Sequence, residues 1–261
     1  MSLHTTTTYG VIGVGALASA VVTGLCHGVV EAPTIVLSPR GTSTSSSLAA
    51  RFPSVTVAAD NQAVLDGSDL VLVCLRQADS SLLDTLAWRP GHVVVSAVAG
   101  LPLGEVAALV APAREVARAV PMPAVATRTS ATPVHPPLPA VAALFDHLGG
   151  TLPVEDGEQF EAIYTALGTV APFYEYLGIL VGFLADHGVP PTAARRLVAD
   201  TFVGVLGGLA TAGDPDFDAL VAAHAPPGGG NAQLTAAMRD AGVFDGMRRA
   251  VDEVHARLTG G

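Results

Sequence analysis

Short apolar runs and stretches of helical spacing alternate through the first 155 residues of the chain. Residues 9–13 are apolar or small and end in glycine, as a strand buried on both faces does. Residues 16–27 have the 3.6-residue spacing of a helix and stop beside Gly28. The alternation continues, predicting strands at 34–37, 55–57, 70–74, 92–96 and 116–120. Helices are predicted between them at 42–52, 61–66, 80–86 and 102–110. Strand and helix repeating at this spacing predict a parallel, doubly wound sheet.

Between 121 and 139 the pattern breaks. Pro121, Pro123, Pro133, Pro136, Pro137 and Pro139 predict irregular chain there. One last helix–strand pair is expected at 140–154. Beyond Glu155 only helical periodicity remains, at 158–187, 192–211 and 233–258, with Gly168 and Pro172 placed to kink the first. The chain thus reads as an α/β domain over 1–155 followed by an all-helical domain over 156–261.

The turn after the first strand carries chemistry. Gly13-Val14-Gly15-Ala16-Leu17-Ala18 is a G-x-G-x-x-A fingerprint between a strand and a helix, the context that marks a Rossmann-type dinucleotide site. Gly13 makes the turn, Gly15 admits a pyrophosphate, Ala18 lets helix and strand pack closely, and the helix start supplies free N–H groups and partial positive charge. The second strand ends in Ser38-Pro39-Arg40-Gly41-Thr42-Ser43, with no acid to bind the ribose hydroxyls. Arg40 can pair with a 2′-phosphate and Ser38 can donate to it, so NADP(H) is the expected cofactor. The ends of the fourth and fifth strands, Cys74-Leu75-Arg76 and Ser96-Ala97, are expected to face the same molecule. A second glycine cluster, Gly228-Gly229-Gly230 before Asn231, opens a late helix and offers a further anion site.

Composition narrows the picture. The 261 residues carry a formal charge of −10, which argues against nucleic acid as a partner. The most apolar run, 176–185, is short of the ~20 residues of a membrane span, so no membrane association is expected. The first residues hold neither a basic region nor a long apolar stretch, and the two cysteines, Cys26 and Cys74, sit in apolar surroundings; a reducing cytoplasm is expected. His135, His147, His187, His224 and His255 show no metal-ligand spacing. All 13 basic residues are arginine; the chain has no lysine.

The ordered set of motifs resembles the pyrroline-5-carboxylate reductase family over almost the whole chain: the G-x-G-x-x-A start, Arg40, Asp60-Asn61, Ser96 to Gly100, Arg118-Ala119-Val120-Pro121, and Pro227-Gly228-Gly229 before a final helix. The resemblance implies reduction of the ring C=N of 1-pyrroline-5-carboxylate to L-proline with NAD(P)H. It also implies a homodimer interlocked through the helical domain, with the active site between the nucleotide domain and the Pro-Gly-Gly loop. Asn61 would contact the cofactor ribose, and Gly228 and Gly229 the substrate carboxylate. Three positions depart from the family: Gly230-Asn231 stand where it has hydroxyl residues near the imine nitrogen, Pro121-Met122-Pro123 shortens its Pro-Asn-Thr-Pro, and Leu75-Arg76-Gln77 replaces its Val-Lys/Arg-Pro. Asn231 is then the candidate to orient the ring nitrogen, with N-capping of the late helix as the equally plain alternative. A different cyclic or N-substituted imine, or a nucleotide-binding protein without turnover, are the other readings. A β-hydroxyacid dehydrogenase, which shares the domain plan, uses a lysine that this chain lacks.

Overall fold

The computed structural model describes residues 7–211 and 213–260; the opening residues, where a leader was sought, lie mostly outside them. Two compact units divide the chain, 1–163 and 164–261.

The first unit is built on an eight-stranded sheet of order β3-β2-β1-β4-β5-β6-β7-β8. Its strands are β1 (Tyr9–Ile12), β2 (Ile35–Leu37), β3 (Val55–Val57), β4 (Leu70–Val73), β5 (Val93–Ser96), β6 (Glu115–Ala119), β7 (Thr132–His135) and β8 (Thr151–Pro153). All neighbours are parallel except β6 and β7, where Arg118 pairs with His135 and Ala119 with Val134. Both faces are covered, as the unbroken apolar strands require. Along β4, Leu70 and Leu72 enter one core while Val71 and Val73 enter the other. Helices α1 (Ala16–Cys26), α2 (Thr42–Arg51) and α5 (Pro139–Asp146) contribute to the first core, and α3 (Asn61–Asp66) and α4 (Leu103–Leu109) to the second. The sheet order reverses about β1, so β2 and β4 flank the turn that follows it.

Two expectations fail here. Residues 121–139 are not all irregular. The segment Pro123–Thr127 is a 3₁₀ turn, and β7 follows it. Pro133 lacks a donor, but its carbonyl accepts from the Val120 N–H at 3.1 Å, so the strand survives its proline. Residues 77–85 form a 3₁₀ segment rather than the α-helix expected at 80–86.

The second unit is helical. α6 (Gly157–Leu167) crosses the division: Phe160 is buried in the first unit, where its ring stacks under the Arg118 guanidinium, and Glu161 makes an ion pair with Arg118. The boundary expected at 155 therefore precedes helix residues that fall within the first unit. A turn at Gly168-Thr169 separates α6 from α7 (Val170–Asp186). By length and composition the whole stretch Gly157–Asp186 passes for a membrane span, a resemblance the ten-residue apolar run does not show. Then come α8 (Pro191–Thr211), α9 (Phe217–His224), α10 (Gly230–Asp240) and α11 (Val243–Thr259). α9 has no counterpart in the sequence reading. No described side chain of α7, α9, α10 or α11 is buried, although Tyr174, Ile179, Phe183 and Val203 are among the residues of these helices and α8 that are well over half exposed.

Candidate functional site

Gly13 adopts φ +88°, and a Cβ there would meet the Cys74 carbonyl oxygen at 2.6 Å, so only glycine fits the turn. Its N–H donates to Ser38 Oγ at 3.2 Å, and Ser38 O accepts from Ser45 Oγ at 2.9 Å. Ser38 is fully buried. It holds the glycine turn against the end of β2 and does not offer its hydroxyl to a phosphate, which corrects its expected role. Val14 is likewise a core side chain, 5% exposed, so only its backbone can face a ligand.

Gly15 differs from Gly13. It has ordinary extended geometry as the residue before α1, and no atom lies within 4 Å of where its Cβ would be. That open space lies above an α1 start with no side-chain cap, where the first N–H groups are available to an anion. Gly15 and Ala16 are exposed and Leu17 half-buried.

The neighbouring strand ends converge on this turn. Cys74 packs against Gly13, and burial pushes its thiol up to about 12, so it is a spacer and no nucleophile. Leu75 reaches within 3.0 Å of the Gly13 Cβ position. Gln77, in place of the family's proline, donates its Nε2 to the Gly100 carbonyl at 3.0 Å and ties the β4 loop to the β5 loop. Ser96 is buried and accepts from the Val98 N–H at 3.3 Å; Ala97 beside it is half-buried. Asn61 opens α3 after the Asp60 cap, and its Oδ1 is buried with no hydrogen-bond partner among the described residues. An orphaned buried acceptor asks for a donor, and a ribose hydroxyl is one.

Arg40 and Arg76 are both exposed and meet at Asp79, a residue without a motif to announce it. Arg40 Nη2 lies 3.4 Å from Oδ1, and Arg76 Nε lies 2.9 Å from Oδ2. The hydrogen bond from Arg76, with the charge of both arginines, holds the Asp79 carboxyl below its ordinary range.

In the helical unit, the glycines of the second cluster differ in backbone geometry. Gly228 has φ +77°, whereas Gly229 has φ −78° and caps α10; a Cβ on it would lie 3.0 Å from the Pro226 carbonyl. Around Gly228 and Gly230 a Cβ would meet nothing within 4 Å. Asn231 does not cap the helix. Its Nδ2 donates to the His224 carbonyl at 2.9 Å, pinning the end of α9 to the start of α10. Asn231 and His224 also line an apolar cavity of about 810 Å³ walled by Phe173, Tyr176, Leu234 and Met238.

Residues 8–100 match the model of the NADP oxidoreductase, coenzyme F420-dependent family. The pyrroline-5-carboxylate reductase of Pseudomonas aeruginosa (strain PAO1) is 28% identical over 74% of this chain and 74% of its own. The chain is similar to pyrroline-5-carboxylate reductases in sequence and in fold. The crystal structure of 1-pyrroline-5-carboxylate reductase from Streptococcus pyogenes has the same fold, with a TM-score of 0.81 at 22% identity over 98% of this chain and 99% of that one. So has the Plasmodium falciparum pyrroline carboxylate reductase with NADP bound, with a TM-score of 0.80 at 15% identity over 98% of both chains. The matched region is an NAD(P)-binding domain, and the glycine turn between β1 and α1 lies in it.

Proposed function

We propose that the protein reduces 1-pyrroline-5-carboxylate to L-proline with NADPH. The observation that carries this reading is the pairing of two glycine-built anion sites in a chain similar to these reductases: the open Gly15 turn before α1 and the Gly228–Gly230 loop before α10. The first suits a pyrophosphate and the second the substrate carboxylate.

The residues fit a dinucleotide. The backbone from Gly13 to Leu17 would cradle the pyrophosphate, and Asn61 Oδ1 would accept from a ribose hydroxyl. Arg40 would meet a 2′-phosphate, and the small residues Ser96 and Ala97, with Cys74, Leu75 and Arg76 opposite, would border the rest. Bound there, the dihydronicotinamide supplies the hydride. The chain's task is then positional, because a protonated cyclic imine is already electrophilic. Asn231 keeps its Nδ2 on the His224 carbonyl, so its Oδ1 is the atom left to accept from a protonated ring nitrogen.

Asn231 in place of a hydroxyl also favours a second reading, a different cyclic or N-substituted imine. Steady-state NADPH oxidation across cyclic imino acids of different ring size separates the two: highest kcat/KM on the five-membered ring supports proline formation, and a larger ring or N-alkyl substrate preferred by an order of magnitude overturns it.

The helical unit is built for a second copy. Its helices α7, α9, α10 and α11 leave their apolar residues uncovered, more exposed apolar surface than a lone soluble unit carries. A homodimer covers them. The two free cysteines suit a reducing cytoplasm.

A further inference from the structure

Resting on the NADPH reading, we infer that Arg76 is the second arm of a two-arginine clamp on the cofactor's 2′-phosphate, and that Asp79 is the positioning residue that holds both arms. The sheet order places β2 and β4 on either side of β1. Arg40 follows β2 by three residues and Arg76 follows β4 by three, so the two guanidiniums stand over adjacent edges of the glycine turn. Asp79 lies between them in the 3₁₀ segment, its N–H fixed to the Arg76 carbonyl at 2.9 Å. Each carboxylate oxygen serves a different arginine: Oδ1 faces Arg40 Nη2 at 3.4 Å, and Oδ2 takes Nε and Nη2 of Arg76, both at 2.9 Å.

Exposure shows which way the cluster works. The Asp79 side chain is 22% exposed, while those of Arg40 and Arg76 are 62% and 80% exposed. The carboxylate is the base of the cluster and the guanidiniums are its outer face. Each guanidinium has five N–H donors, and Asp79 occupies only a minority of them. A surface ion pair of this kind contributes little to folding. Two arginines converging on one acid instead leave a net positive spot in a chain of net charge −10. A phosphate dianion is the ligand that needs two cations and several donors at once. A dinucleotide lacking the 2′-phosphate has nothing to place there.

The test is direct binding, by calorimetry, of adenosine 2′,5′-bisphosphate and of 5′-AMP to the full-length protein. The expected parent binds the bisphosphate more tightly. Arg76→Ala and Arg40→Ala each weaken the bisphosphate by about tenfold and leave 5′-AMP unchanged. Asp79→Ala weakens the bisphosphate selectively because both arms lose their hold, and Asp79→Glu recovers part of the loss. Unchanged bisphosphate affinity in Arg76→Ala overturns the clamp. Tighter binding in Asp79→Ala makes Asp79 a rival anion, and equal losses for both ligands make it a fold element; either overturns its positioning role. A parent that binds both ligands alike overturns the NADPH preference itself, a result distinct from the other failures.

Discussion

Two glycines two residues apart should fail in different ways when replaced by alanine. At Gly13 the backbone is left-handed, φ +88°, and the new Cβ would lie 2.6 Å from the Cys74 carbonyl oxygen and 2.9 Å from its carbon. Holding an L-residue in that conformation costs ~1–3 kcal/mol. Moving the end of β4 to relieve the contact costs a similar ~1–3 kcal/mol, so Gly13→Ala should lose about 2–6 kcal/mol of stability. For a unit of this size ~1 kcal/mol shifts Tm by about 2–4 °C, so melting should fall by roughly 4–24 °C. Gly15 has φ −99°, and its Cβ would meet no atom. Gly15→Ala should therefore melt within about 0.5 kcal/mol of the parent. Its methyl group would instead stand where the pyrophosphate must approach, and NADPH affinity should fall by ~tenfold or more. The pair is read by thermal unfolding without cofactor and by NADPH fluorescence titration. A Gly15→Ala protein that melts like Gly13→Ala, or that binds NADPH as the parent does, would refute the reading of this turn.

Further outcomes follow from other contacts. Arg118 is buried with Glu161 as its ion-pair partner, so Glu161→Ala, which removes that carboxylate, should destabilise the first unit by about 3 kcal/mol; an unchanged urea midpoint would contradict this. His92 and His147 both have pKa values lowered chiefly by burial, with Arg89 and Arg128 respectively adding to the effect, against the opposing pull of Asp66 and Asp69 on His92. Their neutral forms favour the fold, so stability is full above the ordinary histidine value of 6.5 and is lost as pH falls below it; the loss between about pH 7 and pH 5 should shrink in His92→Gln/His147→Gln, and an unaltered slope would sink the assignment. Gly229→Val should abolish imine reduction by pressing on the Pro226 carbonyl and closing the loop, while NADPH binding persists; retained turnover would make the loop a mere connector. Light scattering at micromolar concentration in detergent-free buffer should give a dimer or larger, and a soluble monomer would contradict the proposed use of the helical face.

β1, β2, β4 and β5 were readable because each is an apolar run with glycine or polar residues at its ends, as burial on both faces requires, whereas β3 and β6 were placed by the strand–helix alternation around them. β7 was not readable. Four residues with a proline inside and more prolines on either side carry no period, and only pairing with β6 and β8 makes them a strand. The glycine turn was legible because Gly13 is demanded by its left-handed backbone and the Cys74 carbonyl, while Gly15 is known only by the fingerprint spacing. Its supporting cast was not: Ser38 looked like a phosphate donor, but tertiary packing buries it completely, with its Oγ accepting from the Gly13 N–H. Asp79 was invisible for the opposite reason. Nothing local marks it, and it acquires meaning only when the sheet brings Arg40 and Arg76 to it. At the second loop the run of three glycines was evident, yet the residue carrying the positive φ is Gly228 and not Gly229, a distinction that glycine alone does not encode. α9 escaped notice because eight residues give barely two turns of period.

The most direct measurement of the central claim is product formation. The protein, NADPH and 1-pyrroline-5-carboxylate are mixed, NADPH oxidation is followed by absorbance, and L-proline is quantified in the same samples. One L-proline formed for each NADPH consumed, at a rate that falls when Gly229→Val replaces the parent, is the predicted result. NADPH that binds but is not oxidised, or is oxidised without L-proline appearing, would contradict it.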